Sequence, residues 1–149
     1  MITRKVTLVF MVVGVGAVLM PSLLSASRRL LSTTMAASSA YVPGTHSMAF
    51  VTAPSQEVAK KIAGGLVKNK LAACVNIIPG ITSVYEWEEK INEDPEVLMM
   101  IKTRTSRLEE LTKFVRENHP YDVCEVISSK IDQGNQPYLD WLGQIVPEK

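Results

Sequence analysis

Four side chains in this 149-residue sequence have the chemistry of soft-metal ligands or nucleophiles: Cys74, Cys124, His46 and His119. Thiolate and imidazole groups together can bind copper or zinc, and a Cys–His pair can also form an activated nucleophile. The spacings match no metal motif, and neither cysteine belongs to a Cys-x-x-Cys pair. Because no nucleophile has a predicted base nearby, the residues favour a non-enzymatic protein.

The charges of the chain are divided unevenly between its ends. Residues 1–47 contain four basic residues and no acidic one, which leaves 12 basic and 15 acidic residues in 48–149. A body with a net charge of −3 argues against nucleic acid as a partner, because neutralising phosphates requires a basic face.

The first 31 residues have the layout of a targeting segment. A basic start precedes the apolar run Val6–Met20, and small residues follow it, as in a secretory signal peptide or signal anchor. Residues 32–47, rich in Ser, Thr and Ala, are predicted to be a disordered linker. Two alternatives are open: the acid-free, Ser- and Arg-bearing composition also fits a mitochondrial presequence, and a start at Met35 or Met48 would give a cytosolic form.

Residues 48–149 alternate between strand and helix patterns. Four apolar segments predict strands: Ser47–Ala53, Leu71–Glu88, Val97–Thr103 and Asp122–Ile131. The second is unusually long and contains Pro79-Gly80, which predicts a bulge or bend because proline has no N–H for a paired strand. Glu88–Lys90 is expected to form the turn before the chain returns.

Helix signals lie between and after these strands. Ser55 is the predicted N-cap of a first helix, whose buried stripe is Val58, Ile62 and Leu66. Ser106 with Glu109 predicts a capping box for a second helix, and a last helix begins near Asn135. The order β-α-β-β-α-β plus a C-terminal helix predicts an α+β ferredoxin-like antiparallel sheet with strand order 4-1-3-2.

The third predicted strand, Val97–Thr103, is nearly continuously apolar rather than alternating. An antiparallel sheet with one solvated face should alternate, so both faces of this sheet must be dry. Two helices cover only one face. We therefore expect a homo-oligomer in which further copies of the chain cover the other.

Four segments resemble the CutA divalent-cation-tolerance family in order and spacing: KLAACVNIIPGITSVYEWEEKI, EVLMMIKTRT, NHPYDVCEVI and QGNQPYLDWL. The resemblance covers about residues 48–146 and is nearest to the animal branch. It implies a stable homotrimer of ferredoxin-like subunits whose long hairpins wrap across their neighbours.

The resemblance also implies a role in tolerance to copper or another divalent cation. It places Cys74 and His119 on the cysteine and histidine to which copper binding is attributed. Val51 occupies the place of the family's first-strand cysteine, so a site that uses that thiolate is incomplete here. Animal relatives are linked to anchoring acetylcholinesterase at membranes, which implies that or another secretory or membrane protein as a partner.

A second possible site consists of Trp87, Lys102, Glu125 and Tyr138, which we expect to meet across a subunit interface. These polar and aromatic side chains suit a small ligand or cation, as in trimeric signalling proteins of the PII type. The competing interpretation is an interfacial ion pair with aromatic packing.

Overall fold

The computed structural model describes residues 41–149, so the predictions for residues 1–40 lie outside the described part. Its strands are β1 (His46–Ala53), β2 (Cys74–Trp87), β3 (Lys90–Arg104) and β4 (Ile127–Lys130). Its helices are α1 (Gln56–Lys68), α2 (Leu108–Asn118) and α3 (Gln136–Ile145), with a 3₁₀ turn at Thr105–Arg107.

The strands form a single antiparallel sheet in the order β2-β3-β1-β4, which confirms the predicted 4-1-3-2 topology. The central strand β3 pairs with β2 on one side and β1 on the other, so Lys102 lies opposite both Cys74 and Met48. β2 and β3 together make a hairpin much longer than the rest of the sheet.

One face of the sheet is covered by α1 and α2. Alternate residues of the central strands point into this core and are fully buried: Ala49, Val51, Met99 and Ile101. The apolar stripe of α1 packs against them because four-residue spacing puts Ile62 and Leu66 on one side of the helix. As predicted, Ser55 caps α1, its hydroxyl accepting the Val58 N–H at 3.3 Å.

The intervening residues of the same strands form the open face, which we define as the face opposite α1 and α2. Its apolar middle consists of half-buried or exposed side chains: Phe50, Ile78, Leu98, Met100 and Ile127. α3 lies at one end of this face, where Arg104 donates hydrogen bonds to the carbonyls of Val146 at 2.5 Å and Gly143 at 2.8 Å.

A β-bulge at Pro79-Gly80 decides which side chains of the hairpin reach the open face. The register shifts there, and Gly80 is left unpaired with a φ of 78°. An extra residue reverses the alternation, because side chains repeat every two residues along a strand. Cys74 and Asn76 precede the bulge at even numbers, whereas Tyr85 and Trp87 follow it at odd numbers on the same face.

Several predicted boundaries were wrong. β2 begins at Cys74, not Leu71, and His46 and Ser47 of the predicted linker belong to β1. β4 covers only Ile127–Lys130, because residues 122–126 have an irregular backbone. The side chains of Cys124 and Val126 in this irregular segment still pack against the core. Ser106 does not cap α2, since it falls inside the 3₁₀ turn and Arg107 precedes the helix. β3 begins at Lys90, not Val97, so the stretch after the turn already belongs to the returning strand.

Candidate functional site at the open face

Cys74 lies at the start of β2, beside α3. It is a free, half-buried thiol, and the Asn76 amide nitrogen is 4.0 Å from its sulfur. The Lys102 amino group donates a hydrogen bond to the Asn76 side-chain oxygen. Burial first, and then the neighbouring Cys74 sulfur, raises the pKa of the Tyr138 phenol. Cys74, Lys102 and Tyr138 therefore form one cluster with a single soft ligand atom.

His119 follows the last residue of α2, and both of its ring nitrogens contact the protein. Nδ1 accepts the Tyr121 backbone N–H at 3.1 Å, and Nε2 lies 2.9 Å from the Thr52 carbonyl oxygen. A carbonyl can only accept, so Nε2 must carry the proton and Nδ1 must be the acceptor. In this arrangement His119 fastens the segment after α2 to β1 and has no lone pair available for a metal.

The structure does not bring Cys74 and His119 together within one chain. Cys74 is opposite Lys102, whereas His119 contacts Thr52, which is opposite Leu98. Lys102 and Leu98 are four residues apart, which is roughly 13 Å along β3. Cys74 lies on the β2 side of this strand, whereas Thr52 lies on the β1 side. Within residues 41–149, no group of three or more His, Cys, Asp and Glu side chains could hold a metal ion.

His46 and Cys124 are the other two starting candidates. His46 is buried beside α3 and stacks on Tyr41, with ring centroids 5.7 Å apart. Burial, and then the Arg104 guanidinium, lowers the pKa of His46, so the ring is held neutral. Cys124 is a free thiol packed against the helix-covered core.

A groove of about 800 Å³ lies between the outer half of the hairpin and the segment after α2. Trp87 and Glu125 both line it, so the structure brings together two of the four predicted pocket residues. Lys102 and Tyr138 belong to the Cys74 cluster at the other end of the face. The four residues therefore do not meet within one chain.

The predicted pocket did not include Glu96, Tyr85 and Tyr121, which also line this groove. The Tyr85 hydroxyl donates to Asp94 at 2.6 Å, and this bond is the main reason that the pKa of Tyr85 is raised. Burial, followed by the charges of Glu96 and Asp94, raises the pKa of Tyr121. The bulge was a sequence signal for Tyr85 alone, because the extra residue turns that side chain to the face on which Asp94 and Glu96 lie.

A family model described as CutA1 divalent ion tolerance protein matches residues 47–145. The chain belongs to the CutA1 divalent ion tolerance family. The resemblance drawn from the four sequence segments is thereby confirmed. The match begins one residue after the start of β1 and ends with α3, so it spans the whole sheet and all three helices.

Relatives and solved structures extend the match. A CutA homologue from Xenopus laevis is 63% identical over 112 residues, covering 75% of this chain and 74% of the relative. Human CutA is 60% identical over 107 residues, covering 72% of this chain and 60% of the relative. The crystal structure of CutA1 from Oryza sativa is 50% identical with a TM-score of 0.69, covering 72% of this chain and 97% of that one.

A bacterial structure shows the same fold. The divalent cation tolerance protein from Thermus thermophilus is 44% identical with a TM-score of 0.67, covering 68% of this chain and 99% of that one. The ferredoxin-like α+β architecture is thus that of the CutA1 family. Within residues 41–149, no helix is long and apolar enough to cross a membrane.

Proposed function

We propose that the protein acts in tolerance to divalent cations as a non-enzymatic homotrimer, and that it binds copper through Cys74. The observation that carries the proposal is a free thiol at the edge of an incompletely covered apolar sheet face. The family supplies the relation to divalent ions. The thiol supplies a ligand that soft copper prefers.

The apolar middle of the open face supports self-association. Ile127 remains 57% exposed and Ile78 38% exposed, next to the half-buried rings and chains of Phe50 and Met100. A continuous apolar sheet surface in water favours association, and a second copy carries the same surface. The hairpin extends past the sheet with Val84, Trp87 and Ile91 exposed, which suits contact with a neighbouring subunit.

Cys74 cannot complete a copper site from its own chain. Its neighbours Asn76, Lys102 and Tyr138 offer an amide, an ammonium and a phenol, and none of these is a strong soft ligand. We propose that further ligands come from another subunit. His119 can bind the metal only if its Nδ1 loses the hydrogen bond from the Tyr121 N–H. Cys74 is therefore the principal ligand of the proposed site.

Titration of the full-length protein with Cu(I), Cu(II) and Zn(II) tests this proposal. Cys74→Ala should lose the tight copper site, whereas Cys124→Ala should keep it, since Cys124 is an equally free thiol packed on the core. His119→Gln should weaken copper binding less than Cys74→Ala does. Unchanged copper affinity in Cys74→Ala would show that the thiol is not the ligand.

A second candidate function is binding of a small ligand for signalling, as in PII-type trimers. The groove that contains Trp87 and Glu125 favours it, because ligand sites are concave and combine aromatic with polar groups. A ligand effect that survives Cys74→Ala and disappears in Trp87→Ala would favour this candidate over copper binding.

The animal-branch resemblance supports one further role, in localising acetylcholinesterase or another secretory or membrane protein. We propose that residues 1–31 direct the chain to the secretory pathway or a membrane. A relative from Arabidopsis thaliana, 57% identical, is named chloroplastic, which supports targeting segments in relatives of this chain. Removing residues 1–40, which leaves β1 intact, should abolish partner capture, and Cys74→Ala should leave it unchanged.

A further inference from the structure

His46, at the start of β1, has a buried side chain that neither proposed site uses. The residue is only 4% exposed, and its Nδ1 and Nε2 atoms have no hydrogen-bond partner within residues 41–149. Both nitrogens are covered by the chain itself, so a neighbouring subunit cannot reach them in a homotrimer. A protonated ring would bury a charge and two unpaired N–H donors, which costs far more than burying the neutral ring.

Several parts of the chain enclose this ring. The Tyr41 ring stacks on it, and the Tyr41 hydroxyl accepts the His46 backbone N–H at 3.1 Å. Arg104 is the residue of β3 opposite His46, and the backbone N–H of Ile131, after β4, donates to the His46 carbonyl. α3 approaches at Gly143, where an added Cβ would lie 3.5 Å from Nε2 and 3.1 Å from the Arg104 Nη2 atom. The glycine therefore lets α3 pack directly on the two side chains.

The charged groups around the ring favour its neutral form. Burial first, and then the Arg104 guanidinium, lowers the pKa of His46, although the Asp140 carboxylate of α3 acts in the opposite direction. Arg104 cannot easily move aside, because it holds α3 in place. It donates to the Gly143 carbonyl at 2.8 Å and forms an ion pair with Glu148 at 3.1 Å.

We propose that His46 makes the docking of α3 sensitive to acid: α3 stays on the sheet while the ring is neutral and detaches when the ring takes up a proton. The proton would place a second positive charge beneath α3, beside Arg104, in a position without an acceptor. Tyr138 lies on α3 next to Cys74, so release of the helix also takes the phenol away from the Cys74 cluster. The proposal does not depend on copper binding at Cys74.

Acid shifts the docking equilibrium in a defined direction. With α3 docked, the pKa of His46 is below its ordinary value of about 6.5, to which the ring returns once the helix has detached. The docked state therefore binds fewer protons than the detached state in acid. Its stability is fully present above about pH 6.5 and is lost as the pH falls below that value, about tenfold in the equilibrium for each pH unit until the docked ring also protonates.

Hydrogen exchange of the full-length protein at about pH 7.5 and about pH 5 tests the proposal. After correction for intrinsic exchange rates, the protection of α3 amides should fall about tenfold or more at the lower pH, while α1 amides keep theirs. His46→Phe and His46→Gln have no titrating ring, so both should lose this pH dependence. His119→Gln is the matched control, because the chain has two histidines, and it should behave as the unmodified protein does.

A second measurement uses Trp141, which lies on α3. In a Trp87→Phe background, its fluorescence should shift to longer wavelength in acid when His46 is present and should not shift in His46→Phe at the same pH. Circular dichroism checks that each variant is folded. The proposal is overturned if α3 protection does not depend on pH, if both His46 variants keep the dependence, or if α1 and α3 lose protection together.

Discussion

Neighbouring residues of the same strands form the two faces of the sheet. Helices of the same chain cover one face fully, whereas the other face stays partly exposed. Met99 and Ile101 are fully buried under the helices, whereas Met100 between them is half-buried on the open face. The covered face holds the subunit together. The open face carries the free thiol, the apolar middle and the acidic groove. The covered surface stabilises the fold of the subunit, whereas the open surface is the one on which we propose that association and binding take place.

The adjacent methionines allow the sharpest test of this comparison. Met99→Ala leaves a cavity in the helix-covered core and should lower the free energy of unfolding by about 2–5 kcal/mol. Met100→Ala removes the same atoms from the open face, so it should weaken self-association more than it destabilises the subunit. Chemical unfolding at several protein concentrations separates the effects, because only association makes the midpoint depend on concentration. Equal losses in both variants would contradict the division of the faces.

Two adjacent glycines of α1 differ in how closely α2 packs beside them. A methyl group at Gly65 would collide with the ring of Phe114 on α2, whereas one at Gly64 would meet nothing within 4 Å. Gly65→Ala should therefore destabilise the protein by about 1–3 kcal/mol through overpacking. Gly64→Ala should stabilise it by up to about 1 kcal/mol, because alanine has the higher helix propensity. Thermal unfolding of the two variants measures the difference, and shifts of the same sign would show that the helices do not pack at Gly65.

The bulge connects the two halves of the open face. Gly80 has a φ of 78°, so Gly80→Ala should cost about 1–2 kcal/mol in backbone strain while leaving the register intact. Deleting Gly80 should instead restore regular alternation and turn Tyr85 and Trp87 to the other face. Amide hydrogen exchange and tryptophan fluorescence can follow the hairpin. If the deletion leaves the environment of Trp87 unchanged, the bulge does not set the orientation of the outer hairpin.

The sequence was sufficient for the strand order, for the helix-covered core and for α1, because these follow from apolar spacing and local caps. It was insufficient where an extra residue or an irregular segment decides the outcome. Pro79-Gly80 predicted a bulge or bend. It did not by itself predict that side chains after the bulge would switch faces, which brings Tyr85 and Glu96 to one groove. Asp122–Val126 has a strand-like apolar pattern, yet it pairs with no strand, and only its Cys124 and Val126 side chains pack on the core.

The candidate site was only partly predictable for a similar reason. Cys74 and Tyr138 are distant in sequence, and α3 brings them together. The prediction that His119 is a ligand came from the family resemblance. In the structure, its two ring nitrogens contact the backbone of Thr52 and Tyr121. Contacts between a side chain and a distant backbone group leave no periodic signal in the sequence.

Sedimentation equilibrium of the full-length protein beside Phe50→Asp tests the central claim most directly. Phe50 lies in the apolar middle of the open face, and a carboxylate there would be buried without a partner on association. The account predicts a mass of three chains for the unmodified protein and a folded single chain for Phe50→Asp. A soluble, stable single chain in the unmodified protein at micromolar concentration would contradict it.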